Sequence, residues 1–288
     1  MKLIDDSGST KTTWVLLDGT KVKNTINTCG LNPYFHNSDS IEAVIMADLA
    51  PFLVEYHIKE IHFYGAGCST AYNNSMISDA IQRFFGKSNV FVYHDILGAA
   101  RALFGDGQGI ACILGTGCNS CYFDGTTTYS KVDSLGYLFG DEGAGSYLGK
   151  LFLGAYLKKT LPSVLRDAFD QQYGYTLEDI LNALYNRPSP NRFLASFSIF
   201  LNSNREHPFV HELLQRSFQD FFEAHILKYE DYRATHIGFV GSIAHIYQEI
   251  LEAVAMKEHV KIFRILPSPI EGLVEYHQLP DDMQINKK

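Results

Sequence analysis

One short theme occurs twice in this chain. Near the start, Leu3-Ile4-Asp5-Asp6 runs through Ser7-Gly8-Ser9-Thr10-Lys11 into Trp14-Val15-Leu16-Leu17 and the turn Asp18-Gly19. About a hundred residues later, too long a period for a solenoid, Gly109-Ile110-Ala111-Cys112-Ile113-Leu114 runs through Gly115-Thr116-Gly117-Cys118-Asn119-Ser120 into Cys121-Tyr122-Phe123 and the turn Asp124-Gly125. With the two Asp-Gly turns superposed, Thr10 falls on Thr116, and Ser9 and Lys11 fall on Gly115 and Gly117. Each copy reads as buried strand, small-residue loop, strand, tight turn, strand. Small residues let the backbone approach a ligand and aim N–H groups at an anion. No G-x-x-x-x-G-K-[ST] is present, so these are not Walker-type phosphate loops. A lone G-T-G is equally a plain hairpin turn; the second copy adds weight. Two such hairpins point to a nucleotide held in a cleft between two related domains.

The bulk properties narrow the partners. The 288 residues carry 46% hydrophobic and 19% charged side chains, the balance of a globular protein long enough for two domains. The net charge is −8 (24 − 32), without the basic stripe of a nucleic-acid binder. An acidic chain binds phosphate locally, through backbone N–H groups, a lysine and a metal. Met1-Lys2-Leu3-Ile4 runs straight into two aspartates, so no signal peptide is expected, and no apolar run reaches membrane-spanning length. The five cysteines, Cys29, Cys68, Cys112, Cys118 and Cys121, read as free thiols in a cytoplasmic protein. Cys118-x-x-Cys121 is half of a redox or zinc motif without a second half.

In chain order, strands are predicted over 2–6, 13–18 and 21–28, then a loop at Gly30-Leu31-Asn32-Pro33. A helix over 39–56, capped by Ser38 or Ser40, follows, then a strand at Ile61–Tyr64, a helix over 73–85, a strand at Val90–Tyr93 and a helix over 96–104. Gly105-Asp106-Gly107-Gln108 is the crossing between domains. The second half begins with strands over 109–114, 119–124 and 127–132. The glycine-rich loop Leu135–Gly145 opens a helix over 144–159, and helices over 176–185, 190–202 and 209–229 follow. Their aromatic stripes (Phe193, Phe197, Phe200; Phe218, Phe221, Phe222) read as core. A strand at His236–Val240 ending in Gly241-Ser242, a helix over 243–256, a strand over 260–266 and a closing helix near 269–278, with a frayed tail after Leu279, complete the pattern. The reading is α/β, with an N-terminal domain over 1–107, a C-terminal domain over 108–268, and a last helix, within about 269–288, returning to the first domain.

Several side chains could carry chemistry. Asp6 ends the first strand beside the first loop, where a carboxylate suits phosphate only with a cation such as Mg²⁺; otherwise it starts a turn. Gly8, Ser9, Thr10 and Lys11 would complete an anion site, or Lys11 simply faces solvent. Asp95 stands at a strand end and a helix start, as a helix cap or as a general base for an attacking hydroxyl. Asp141 and Glu142 are either first-turn carboxylates complementing a helix dipole or partners for sugar hydroxyls. Gly241-Ser242, after a strand and at a helix start, suits the phosphate or ribose end of a nucleotide.

The order D-S-G-S-T-K, H-D, L-G-T-G-C-N-S, G-D-E-G-A-G and G-F-V-G-S-I-A resembles the N-acetylglucosamine kinase branch of the actin, hexokinase and sugar-kinase superfamily. The likeness is greatest to the bacterial members grouped with the dehydratase-activating ATPases, and the motifs span Asp6 to Ala244. It implies two RNase H-like (actin/hexokinase-type) domains with the active site in an interdomain cleft. It implies ATP-dependent phosphorylation of an amino sugar at its 6-hydroxyl, with ATP and Mg²⁺ as cofactors. By the same resemblance Asp6 organises Mg²⁺, Gly115 to Gly117 take the second phosphate role, Gly241 and Ser242 the adenosine role, and Asp95 is the base. Asn32, Thr116, Gly117, Asn119 and Asp141 become the sugar contacts. No nucleic-acid or membrane partner is expected, and a homodimer is compatible with the pattern. Three positions depart from the family: Cys118 for serine, His94 for asparagine, and Asp5 for a small apolar residue.

Two other functions compete. A dehydratase-activating ATPase would couple nucleotide binding to electron transfer through a cluster bridged by cysteines, but none of the five sits in an obvious cluster motif. A non-catalytic sugar or nucleotide sensor on the same fold would have little reason to retain both Asp6 and Asp95.

Overall fold

The computed structural model describes residues 1–278, so the part of the closing helix and tail expected beyond 278 lies outside the described residues. The chain divides into two compact units. One comprises Met1–Gly109, Phe123–Thr128 and the described residues from Ser268; the other comprises Ile110–Tyr122 and Tyr129–Pro267.

The first unit is built on strands β1 (Lys2–Ser7), β2 (Lys11–Asp18) and β3 (Lys21–Cys29), followed by α1 (Ser38–Val44), β4 (Glu60–Gly65), α2 (Ala71–Phe85), β5 (Asn89–His94) and α3 (Asp95–Phe104). The sheet order is β3-β2-β1-β4-β5. β1 to β3 form an antiparallel meander, whereas β4 and β5 run parallel to β1. β1 is central, which is why Leu3, Ile4 and Asp5 are all buried. Trp14, Leu16, Ile61, Phe63 and Ile77 fill the core on this sheet.

The helix expected over 39–56 is shorter and irregular. Asn37, not Ser38 or Ser40, is the N-cap; Ser40 returns the bond as the third residue of a capping box. Pro51 has no N–H and its ring crowds the carbonyl four residues back. The helix accordingly widens to a π-turn over Ile45–Leu49 and closes as a 3₁₀ turn over Ala50–Phe52.

The second unit contains β6 (Gly109–Leu114), β7 (Cys118–Phe123), β8 (Thr128–Tyr129), α4 (Gly136–Phe139), α5 (Gly145–Leu157), α6 (Ser163–Tyr173), α7 (Leu177–Tyr185), α8 (Pro190–Ser196), α9 (Ser198–Ser203) and α10 (Pro208–Ala224). It continues with β9 (Ile237–Val240), α11 (Ser242–Ile246), α12 (Gln248–Lys257) and β10 (Ile262–Leu266); α13 (Ile270–Gln278) then packs on α3, β1 and β2. Its sheet order, β8-β7-β6-β9-β10, repeats β3-β2-β1-β4-β5 strand for strand. The duplication read in the sequence is therefore a duplication of topology. β9 runs parallel to both β6 and β10, as β4 does to β1 and β5.

The aromatic stripes are core: Phe197, Phe200, Phe218, Phe221 and Phe222 are buried and Phe193 packs against them. Each of the five buried rings contributes about 1.5–3 kcal/mol by burial. Three predicted helices are interrupted. The one over 190–202 breaks at Phe197, and the one over 243–256 breaks at Tyr247, whose hydroxyl donates to the Ser198 carbonyl at 2.8 Å. The one over 209–229 ends at Ala224, where the buried His225 side chain turns toward Cys118 and Ser120. In the last two a side-chain tether overrides local helix preference. The strand expected over 127–132 shrinks to two residues, and the loop before α5 carries the short α4. No helix among the described residues is long and apolar enough to cross a membrane.

Candidate functional site

In the first unit, strand register brings the predicted carboxylates together. Asp6 pairs with Tyr64, which pairs with Tyr93; one step on, Ser7, Gly65 and His94 align, and Asp95 follows directly. Parallel pairing therefore places the C-terminal ends of β1, β4 and β5 side by side. Asp6 accepts a hydrogen bond from Ser268 Oγ at 3.1 Å. Its pKa is raised to about 7, first by burial; the Ser268 bond opposes this, the Asp95 charge adds to it and Lys11 opposes it. Ser268 lies 262 residues away, and no signal in the sequence points to it.

Asp95 is the first residue of α3. His94 Nδ1 lies 2.5 Å from Asp95 Oδ1, and the Ile96 N–H donates to the same oxygen at 2.8 Å. Burial works to lower the His94 pKa, but the hydrogen bond to Asp95 and its charge outweigh it, so the imidazole is held protonated above its usual range. With its proton on the carboxylate side, Nδ1 donates to Asp95. The Ile96 N–H, 3.4 Å from that nitrogen, is then capped by Asp95 itself.

Asp5 is fully buried. Its Oδ1 accepts the Tyr64 N–H at 3.2 Å and its Oδ2 has no hydrogen-bond partner among the described residues. Burial pushes its pKa well above the carboxylate range, against the Tyr64 bond and with help from Asp6. Burial thus favours the neutral acid form of Asp5 within the sheet.

The first loop packs closely. Gly8 N–H donates to the Lys11 carbonyl at 3.0 Å, and Gly30 N–H to the Thr10 carbonyl at 3.0 Å. A Cβ on Gly30 would lie 2.2 Å from the Gly8 carbonyl, so Gly30 shapes this loop although the sequence reading assigned it no role. Ser9 Oγ accepts from the Asn32 amide at 3.2 Å, and Asn32 Oδ1 accepts the Tyr34 N–H at 2.9 Å. A Cβ on Gly67 would meet Asn32 Oδ1 at 2.4 Å, so Gly67 leaves room for this amide.

In the second unit, Gly115, Thr116, Gly117, Asp141 and Gly241 are brought together. The first N–H groups of α5 are satisfied by the hairpin loop: Gly145 donates to Gly115 O at 2.9 Å and Ser146 to Thr116 O at 3.0 Å. Gly241 has φ +122°, and a Cβ there would lie 2.3 Å from Leu114 O. Ser242 opens only the five-residue α11. Asp141, at φ +65°, accepts the Cys118 N–H at 3.0 Å and Ser146 Oγ at 2.9 Å. Burial raises its pKa against these two bonds. It precedes α5 by several residues, and that helix has no acidic residue in its first turn, so the dipole reading of Asp141 and Glu142 does not hold. A Cβ on Gly117 would meet the Asp141 carboxylate at 2.8 Å; this glycine is required by Asp141. Gly115 differs: nothing stands within 4 Å of where its Cβ would be, and its φ is not positive. Nothing in the fold demands a glycine there. Asn119 is buried on β7, with Oδ1 accepting the Ser120 N–H at 2.9 Å.

Two five-stranded mixed sheets of this paired topology define the actin- and hexokinase-like sugar-kinase fold. A ROK family glucokinase from Streptomyces griseus, in complex with glucose and AMPPNP, shares it at 11% identity and a TM-score of 0.54, over 97% of this chain and 99% of that one. A candidate N-acetylglucosamine kinase from Chromobacterium violaceum shares it at 15% identity and 0.70, over 96% and 98%. A candidate N-acetylglucosamine kinase from Porphyromonas gingivalis is 42% identical, with a TM-score of 0.92 over 96% of this chain and 99% of that one. The chain belongs to this N-acetylglucosamine kinase-type family of sugar kinases. No protein-family model and no curated protein matches it.

Proposed function

We propose that the protein transfers the γ-phosphoryl group of ATP to the 6-hydroxyl of an amino sugar, N-acetylglucosamine foremost. The observation that carries this reading is the strand register that sets Asp6, near the end of β1, and Asp95, directly after β5, on either side of the end of β4. In this reading Asp95 is the general base. Its Oδ1 is held by Ile96 and His94, which leaves Oδ2 to take the hydroxyl proton as the sugar oxygen attacks phosphorus. Asp6 is a hard oxygen donor whose ionisation is opposed by burial and by Asp95, so its environment fits a divalent cation. Mg²⁺ bound there would supply neutralisation of phosphate charge. Gly8, Ser9, Thr10 and Lys11, with Gly115, Thr116, Gly241 and Ser242, would hold the nucleotide through N–H groups and one lysine. The unconstrained Gly115 supports this, because a glycine there leaves open space through which a ligand can approach the backbone closely. Asn32, Thr116, Gly117, Asn119 and Asp141 would position the sugar.

A coupled assay of ADP release across hexoses and amino sugars tests the reading. N-acetylglucosamine should give the highest kcat/KM. Comparable values for glucose would remove the amino-sugar preference and keep the kinase, whereas no release with any sugar would remove both. An electron-transferring activator fits less well. Cys29 is the one exposed thiol of five, and a four-thiolate cluster shared by two copies needs two from each.

A further inference from the structure

We propose that Cys118, Glu142 and His225 form a binding site for a zinc-type divalent cation. The three residues come from the start of β7, the glycine-rich loop and the residue after α10. Cys118 Sγ lies 3.4 Å from His225 Nε2, and His225 Nε2 lies 3.8 Å from Glu142 Oε2. All three ligand atoms fall within 4.8 Å of one another. A tetrahedral ion with ordinary zinc–ligand distances spaces its donors about 3.4–3.6 Å apart. Small side-chain shifts therefore suffice to close the set around an ion.

The donor set is sulfur, nitrogen and oxygen. That combination selects zinc over Mg²⁺ or Ca²⁺, which take oxygen ligands. The imidazole is aimed by an outer layer: His225 Nδ1 is 3.3 Å from Ser120 Oγ, which is 3.0 Å from the Tyr229 hydroxyl. With Nδ1–H donating to Ser120, Nε2 presents its lone pair to the cluster. The three side chains also line a cavity of about 80 Å³ shared with Asp141 and Asp133. It has room for a water as fourth ligand, the three-plus-open arrangement of non-structural zinc sites. Coordination releases the thiol proton of Cys118 to solvent and forms the metal–sulfur bond. The ion would join β7, the glycine-rich loop and the end of α10. It would stiffen the seat of Asp141, whose carboxylate already accepts the Cys118 N–H.

The test uses the full chain, freed of metal by a chelator and titrated with Co²⁺. One equivalent should produce a thiolate–cobalt charge-transfer band, and one equivalent of Zn²⁺ should bleach it. Cys118→Ser should abolish the band. His225→Gln and Glu142→Gln should weaken cobalt binding by more than the roughly 10–100-fold that loss of an outer-layer partner costs. Cys29→Ser, which alters the one exposed thiol, should leave the titration unchanged. Zn²⁺ should raise the Tm of the wild type and not of Cys118→Ser. No band in the folded wild-type protein would overturn the proposal, whatever the variants do, and so would a band that survives Cys118→Ser. The readout is metal binding, so it stands apart from the kinase reading: cobalt binding without ADP release would sink the latter alone.

Discussion

His94 Nδ1 donates to Asp95 Oδ1 across 2.5 Å, at the junction of β5 and α3. The contact favours the imidazolium form of His94 beside the carboxylate proposed as base. Because the His94 pKa is raised on folding, its contribution is fully present below the unfolded value of 6.5 and is lost as pH rises through the folded value. His94→Asn should therefore cost on the order of 1 kcal/mol below pH 6.5 and almost nothing at high pH. Thermal unfolding of both proteins against pH reads this directly; a constant difference would dismiss the charged pair. Asp95→Asn should keep fold and nucleotide binding and lower kcat by about 10²–10⁴-fold.

Gly115 and Gly241 should separate binding from folding. Gly241→Ala places a Cβ 2.3 Å from a carbonyl oxygen at φ +122°, so it should destabilise by about 2–4 kcal/mol or more. Gly115→Ala meets nothing in the protein and should unfold within about 1 kcal/mol of wild type. Its nucleotide Kd should rise at least tenfold nonetheless. Unchanged nucleotide affinity in Gly115→Ala would remove this loop from the phosphate site.

Asp6, with its pKa near 7, is about half protonated at neutral pH. Binding of Mg²⁺-nucleotide should expel that proton. Calorimetry at pH 7 in two buffers of different ionisation enthalpy should report roughly half a proton released. The release should fall toward zero at pH 9 and in Asp6→Asn. A release that is the same in the variant would show that Asp6 does not meet the metal.

Asp5 keeps its proton in the fold because burial raises its pKa. Between the unfolded carboxylate value near 3.8 and that raised value, the native state binds more protons than the unfolded one. Stability from this group thus falls as pH rises through that window. Asp5→Asn retains shape and Tyr64 contact without the acid, so its loss of stability toward alkaline pH should be shallower. Urea unfolding at pH 5 and 9 would show it, and parallel slopes would refute it.

His277 packs in a cage with Tyr64, His62 and Arg101, its Nε2 2.9 Å from the Tyr64 hydroxyl. Burial first, then the charges of His62, Arg101 and Lys2, push its pKa down to about 2. Below 6.5 the unfolded state takes up a proton that the native state refuses. The stabilisation is complete above pH 6.5 and declines by about 1.4 kcal/mol per pH unit below it. His277→Gln should flatten the acid limb of the stability profile, and an unchanged limb would place the acid sensitivity elsewhere.

The sequence by itself determined most of the strands and their duplication. Strand alternation, Asp-Gly turns and small-residue loops act over a few residues, and those local preferences survive in both sheets. The positions of Asp6 and Asp95 at the ends of β1 and β5 were legible for the same reason. Tertiary structure decided the rest, because it depends on distance through space and not along the chain. Ser268 meets Asp6 across 262 residues, and His225 meets Cys118 across 107. The helix expected to run through His225 ends there, where its side chain is held by β7. Gly117 and Asp141 read as two separate sugar contacts, yet the carboxylate fills the space a Gly117 side chain would need. Asp5, one residue from Asp6, is pushed toward the neutral acid form because β1 is the central strand of its sheet and water does not reach it.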